Sequence, residues 1–546
     1  MMDVAPATNR ARLVIMSGVM LGLLLSALDQ TIVSTAMPRI IFNLGGLSYY
    51  SWVFTAYLLT STASVPIFGK LSDIYGRKPF YMGGITLFLF ASALCGAAGN
   101  MPLLILFRAI QGVGGGIMMA NAFAIIGDVF PPAERGKWQG LTSAMFGFAS
   151  VVGPTLGGYL TDNLSWRWVF YVNLPVGAVA LVVLWFTLPW KRRTGTAHAI
   201  DYAGVATLVA GVVPLLLAFV WVGDQFAWFS AQFDLLLLAS AVLLTVFVLV
   251  ERRAPEAILP PMLFRNRTFV SGAIIMFFSG MAMFGATVYI PLFMVAVRGA
   301  SATRAGLTVI PMTLAMVCAS IVSGQVVSRT GRYRYLIIGG SALILTGQFL
   351  LTRLGVATAP LFIYAAMVVV GVGIGSGMPV ITIVVQNAMP YRVLGTVTSA
   401  TQFFRSIGST IGVAIFGSIL ITRLGTEIPN RLPSTVKEGL SPAGLHAVED
   451  PKVLLSPVSG QLLANAFRPL GDAGRPLLAG TAEALRHAFA ASLQDVFFVG
   501  VIVAAIAFLT TFTMREVPLR RSHASGTEAA AADGAMEGTG VHVPAH

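Results

Sequence analysis

The chain has 546 residues, of which 56% are hydrophobic and only 10% charged, where a soluble protein carries roughly 25% charged residues. Apolar runs of about 20 residues, each long enough to cross a bilayer, recur along it. This excludes a soluble enzyme and points to an all-α polytopic membrane protein, because a β-barrel would show alternating ten-residue segments instead. The net charge of +13 needs no nucleic acid, since the positive-inside rule accounts for it.

A short polar stretch, 1–12, leads into a full-length span and does not read as a cleaved signal peptide. Fourteen spans are predicted, at 13–36, 50–69, 80–99, 102–129, 138–160, 167–189, 202–221, 233–250, 269–294, 304–327, 335–353, 358–386, 397–421 and 490–513. With both termini cytoplasmic, 21 of the 35 Lys and Arg fall in cytoplasmic segments, among them Lys191, Arg252, Arg265 and Arg332. Trp52, Trp166, Trp168, Trp190, Trp221 and Trp228 fall near span ends, as an interfacial belt requires. Cys95 and Cys318 lie in apolar segments and read as small buried hydrophobes. The six histidines fall outside the spans, so no metal site is expected.

Two stretches repeat. At an offset of 255, Gly69, Gly76 and Arg77 match Gly324, Gly331 and Arg332. At an offset of 259, Gly136, Gly153 and Gly158 match Gly395, Gly412 and Gly417. The predicted architecture is therefore two six-helix bundles in parallel orientation, one recognised transporter plan with the substrate between the halves. The first bundle is 13–190 and two inserted helices occupy 191–253. The first five helices of the second bundle occupy 254–424, and its last is 489–514. Between them, 425–488 reads as an extracytoplasmic cap with a possible extracytoplasmic partner, and a passive loop fits as well. The Ala/Gly-rich tail 515–546 reads as disordered and cytoplasmic.

Four features carry chemistry. Asp29, in "LSALDQTIVSTAMP", is the one acid deep in a span, and Arg108 in "LFRAIQGVGGG" lies at similar depth. Intramembrane charges need a partner or water and mark ion and proton pathways. If the two face each other, Arg108 holds Asp29 ionised while desolvation pushes the other way. Asp29 is then the candidate proton carrier. Second, Gly69, Asp73, Gly76, Arg77 and Lys78 form a charged loop motif, with Asp128 as the expected acceptor of Arg77. Together they read as a switchable inner gate. The repeat replaces Asp73 by Ser328 and Asp128 by Asn387, so the gate's charge switch is expected to be asymmetric. Third, Gly147, Gly153, Gly157 and Gly158 thin one face of the fifth span and Pro154 can kink it. This reads as a pliable helix between the halves, although the same glycines also serve close packing. Fourth, Arg405 is the other intramembrane cation, expected to face a cavity lined by Gln30, Asn121, Tyr289, Gln386, Asn387 and Gln402. A structural, snorkelling arginine is the competing reading.

With these residues in view, the chain resembles the major facilitator superfamily, and within it the fourteen-span drug:proton antiporters of bacteria. The resemblance spans residues 13–515 and rests on "LDQTIVSTAMP", "GKLSDIYGRK", "RAIQGVGGG", "VVGPTLGGYL" and "WRWVFYVNLPVG". It implies multidrug efflux across the bacterial cytoplasmic membrane, driven by the proton gradient with no other cofactor. It implies a proton-coupling role for Asp29 and an antiporter-helix role for Gly153, Pro154, Gly157 and Gly158. Substrates would be small hydrophobic or amphipathic compounds. Members that export dications often carry further acids in late spans, and here the thirteenth span offers Arg405 instead. Neutral, zwitterionic or anionic cargo, including lipids, envelope precursors or one specific antibiotic, therefore stays open. So does a non-transporting sensor. An ATP-driven pump is disfavoured, because no Gly-x-x-x-x-Gly-Lys-Ser/Thr loop occurs.

Overall fold

The computed structural model describes residues 9–45, 49–189, 200–222, 225–300, 302–390, 393–449, 467–468 and 474–514. Fourteen long helices dominate it. They are α1 (Asn9–Leu44), α2 (Tyr50–Tyr75), α3 (Arg77–Ala97), α4 (Met101–Val129), α5 (Pro132–Asn163), α6 (Asn173–Thr187), α7 (Tyr202–Trp221) and α8 (Ala231–Glu251). The second series is α9 (Arg267–Ala296), α10 (Ile310–Thr330), α11 (Arg334–Leu351), α12 (Pro360–Asn387), α13 (Leu394–Arg431) and α14 (Gly474–Thr511). Thirteen of the described helices are long and apolar enough to cross a membrane. The exception among the fourteen is α5, which is 32 residues long but rich in Gly, Ser and Thr. Most of those small residues are buried against neighbouring helices, while Phe148 and Tyr159 stay exposed.

Helix ends follow local chemistry. Asn100 accepts from Leu103 N to cap α4, and Asn266 accepts from Thr268 N and Phe269 N to cap α9. The turns after α2 and α10 both pass through a glycine at positive φ, Gly76 at 99° and Gly331 at 69°. A residue with a Cβ is strained there, so both repeat positions call for glycine, although the turns themselves differ, with ψ 156° at Gly76 and −4° at Gly331. Helices run past their predicted limits at both ends; α2 extends from the predicted 69 to Tyr75. α13 continues ten residues beyond 421 to Arg431, and α14 starts at Gly474 rather than 490. Much of the segment read as a cap is thus continuous helix, followed by short helices at Ser434–Gly439 and Pro442–Glu449. The stretch 461–466, the first eight residues and the tail from 515 lie outside the described residues. His487, placed by sequence outside any span, sits exposed on α14. Cys318, expected to be buried, is exposed on α10, while Cys95 is buried.

Helices α1 to α6 pack as one bundle and α9 to α14 as the other; they meet along α2–α13 and α5–α10. The inserted pair α7–α8 lies against both α2 and α13, outside that seam. The two cores differ. In the second bundle one apolar cluster is continuous through α9 to α14. In the first bundle two main clusters face opposite ends. One holds Met16, Val19, Leu23 and Phe88; the other holds Ile32, Val53, Leu104 and Phe170. Between them lies a layer of polar side chains.

Candidate functional site

That layer is built around Asp29. α1, α3, α4 and the start of α6 each contribute one or two polar residues at the same depth. Arg108 Nη1 donates to Asp29 Oδ2, and both side chains are sealed, at 1% and 0% exposure. Gln111, one turn on from Arg108, donates from Nε2 to Asp29 Oδ1 at 2.9 Å. Asn173 Nδ2 approaches the same oxygen at 3.3 Å and donates to Ser92 Oγ at 3.0 Å. Arg108 has other partners too: Gln111 Oε1 at 2.7 Å, Val53 O at 3.3 Å and the Tyr57 ring, 4.4 Å from its centroid. A buried ion pair is costly to desolvate, and removing one partner costs about 3–5 kcal/mol because the other charge is stranded. Here the cation retains two acceptors and a ring if the carboxylate is neutralised. The matching positions of the second bundle are apolar: Met367 stands for Arg108 and Val370 for Gln111, both buried.

A second cluster closes the end of the molecule that carries the basic loops. Asp73 on α2 reaches across to the first turn of α13. It accepts from Gly395 N at 3.0 Å, Thr396 N at 2.6 Å and Thr396 Oγ1 at 2.8 Å. Those amides have no partner within their own helix, and the helix dipole adds positive potential there. Arg77 grips Asp73 with Nη2, Asp128 Oδ2 with Nε at 3.0 Å and Ser72 Oγ with Nη1 at 2.6 Å. Asp73 therefore makes the contact between halves, while Arg77 and Asp128 brace it within the first bundle. Lys78, grouped by sequence with this gate, donates instead to Trp185 O of α6 at 2.6 Å. Gly69 packs on Ser399 of α13; a Cβ there would lie 2.1 Å from Ser399 Oγ.

The α5 glycines do not share one face. Gly147 points across to Thr313 of α10, but Gly153 and Gly157 point back to Thr31 and Thr35 of α1 in their own bundle. Pro154 lies inside an unbroken helix. Gly158 has open space over it and lines a cavity of about 440 Å³ with Thr35, Arg39, Phe42, Thr161 and Asp162. Of the α5 glycines, Gly136, Gly140 and Gly147 face the other half, and Arg135 reaches it through Gln386.

The polar residues expected around one cavity are dispersed. Gln386 is buried in the closed end, accepting from Arg135 Nη1 at 2.9 Å and donating to Thr398 Oγ1 at 2.8 Å. Asn387 is buried beside it at the end of α12. Tyr289 donates to Val413 O at 2.9 Å within the second bundle. Asn121 is fully buried, with Nδ2 on Ile117 O. Gln30 and Arg405 are half-buried. Arg405 Nε donates to Gln402 Oε1 at 2.8 Å and has no carboxylate within 4 Å among the described residues. Gln111, Asn173, Arg135 and Thr396 were not singled out from the sequence. Gln111 was the most findable, being a polar residue three positions from Arg108 on the same helix face.

Comparison with known proteins agrees with this geometry. The model of the Major Facilitator Superfamily matches residues 19–413. The multidrug transporter protein MdtP of Bacillus subtilis is 40% identical over 518 residues, covering 94% of this chain and 95% of that protein. Multidrug resistance protein 3 of the same organism is 38% identical over 453 residues, covering 83% and 88%. Among solved structures, the human organic anion transporter MFSD10 superposes with a TM-score of 0.56 at 14% identity, covering 90% of this chain and 99% of that one. The proton:xylose symporter XylE gives a TM-score of 0.54 at 13% identity, covering 90% and 95%. Two six-helix bundles, repeated turn glycines and these matches lead to one conclusion: the chain belongs to the Major Facilitator Superfamily and is a transporter, not an enzyme.

Proposed function

We propose that this protein is a proton-coupled secondary transporter that exports hydrophobic or amphipathic small molecules by alternating access, with Asp29 carrying the proton. The observation that carries the reading is the sealed Asp29 layer, a carboxylate at mid-bundle held by Arg108, Gln111 and Asn173. A charge in that position is expensive, and it is absent from the matching bundle. Protonation of Asp29 frees Arg108 to settle on Gln111, Val53 O and Tyr57, which loosens α1 from α4. Loss of the proton draws the helices together again. Asp73 and its partners act as the inner gate, closed in this conformation. The names of the two Bacillus relatives support a multidrug range of substrates. Two observations weigh for a second reading, export of anionic or neutral amphiphiles such as lipids. Among the described residues Arg405 has only Gln402 as a side-chain hydrogen-bond partner, and the stretch 397–421 of α13 holds no Asp or Glu.

The test is proton release from purified protein on adding lipophilic dyes, one cationic, one neutral and one anionic. Release should accompany binding in the parent protein and fall at least about tenfold in Asp29→Asn, which cannot titrate. Undiminished release from Asp29→Asn would remove Asp29 from the mechanism. The dye that elicits release identifies the charge class.

A further inference from the structure

The inserted pair α7–α8 touches both halves of the molecule, and the way it does so assigns it a task. On α2, Gly69 and Asp73 face α13, while Lys70, between them in sequence, faces the other way. Lys70 Nζ bonds Glu256 Oε2 at 2.6 Å, with the side chains only 11% and 26% exposed. Around the pair, Ile67, Leu71 and Ile74 of α2 meet Val205 of α7 and Ile258 across a narrow gap.

Glu256 lies in the linker from α8 to α9. One end of that linker is held by Glu251, the last residue of α8, whose carboxylate accepts from Ile258 N at 3.1 Å and Leu259 N at 3.2 Å. The other end runs through the short helix Pro261–Arg265, with Leu263 buried, to Asn266. Asn266 caps α9 and donates to Ala388 O at the end of α12, at 3.2 Å. The linker is thus anchored to the second half, and Lys70 belongs to the first. At the far end of the inserted pair, Trp221 packs on Trp52 of α2 at 5.1 Å and Trp228 bonds Ser418 of α13.

We propose that Lys70 and Glu256 form a second latch on the inner gate, through which the inserted helices hold α2 in the closed position. Parting α2 from α13 breaks the Asp73 contacts. Because Glu256 is tied to α9 and α12, the same movement breaks the Lys70 pair. The inserted helices therefore set the balance between the two access states, without contacting the Asp29 layer. This inference rests on the reading of Asp73 as an inner gate.

The experiment measures closure, not transport. Cys95 and Cys318 are replaced by Ser, and Ser399, buried against Gly69, is replaced by Cys as a reporter. Inside-out vesicles are treated with a membrane-impermeant maleimide, and the labelling rate is read. Lys70→Gln and Glu256→Gln should each label about tenfold faster, a shift of about 1.4 kcal/mol in the open–closed balance. The charge swap, Lys70→Glu with Glu256→Lys, should return labelling toward the parent rate, which a loss of fold would not do. Asp73→Asn in the same background reports on the gate itself. If it labels faster while the Lys70 and Glu256 variants do not, the latch is wrong and the gate stands. If the swap labels as fast as the single variants, the latch is likewise wrong. If no variant changes labelling, both the latch and the gate fall.

Discussion

Two seams join the halves at the closed end, and they are copies of one contact. Gly69 of α2 meets Gly395 and Ser399 of α13; Gly324 of α10 meets Gly136 of α5. By the repeat, Gly69 corresponds to Gly324 and Gly395 to Gly136, so each seam brings the same two glycines together. Their chemistry has diverged. A Cβ at Gly136 would lie 2.3 Å from Gly324 Cα, so that seam is backbone against backbone. The α2–α13 seam adds Asp73, Arg77 and Asp128, and the inserted helices cover it. One seam closes by shape and the other by charge. The α2–α13 contact carries a carboxylate across the halves, whereas the Gly136–Gly324 contact carries none.

Substitutions can break this contrast in graded ways. The largest effect is expected for Gly136→Val, which places a branched side chain where Gly324 backbone now lies. Overpacking of this kind costs about 1–3 kcal/mol or more, so the closed state should be lost. Uptake assays in vesicles at matched expression should show transport abolished. Next is Asp73→Asn, which keeps a side-chain acceptor but loses the charge on the α13 amides and Arg77. Charge-assisted bonds are worth about 1.5–3 kcal/mol each, and transport should fall about tenfold with membrane insertion unchanged. Equal transport at equal expression would show that charge does not govern the α2–α13 seam.

A smaller but sharper test moves the acid to the other seam. Ser328→Asp, combined with Asp73→Asn, should leave transport at the Asp73→Asn level. The reason is helix phase. α13 begins at Leu394, so Gly395 and Thr396 offer free amides, but α5 begins at Pro132 and the matching Gly136 lies beyond its first turn. Recovery of transport would mean that the seams are chemically interchangeable. The smallest effect is expected for Gly158→Ala, whose Cβ meets open space. It should transport normally, while Gly157→Ala, 2.3 Å from Thr35 Oγ1, should be impaired. The reverse order would place the working glycine of α5 on the cavity rather than on α1.

Much of this was legible in the chain itself. Apolar runs, basic loops and the two repeat offsets are one-dimensional signals. They follow from bilayer thickness, charge placement and glycine at positive φ, all of which act on a segment regardless of its neighbours. The isolation of Asp29, its common depth with Arg108 and the replacement of Asp73 and Asp128 by Ser328 and Asn387 in the second copy could be read the same way. What only the tertiary structure decided is who faces whom. Gly147 and Gly153 are six residues apart, more than one and a half turns, and so point to different helices. Gln386 is polar because it meets Arg135 from the other half, not because it lines a cavity. Lys70 lies between two gate residues yet turns to the inserted helices. Helix rotation and packing set these pairings, and a membrane helix hides its rotation when most of its surface is apolar.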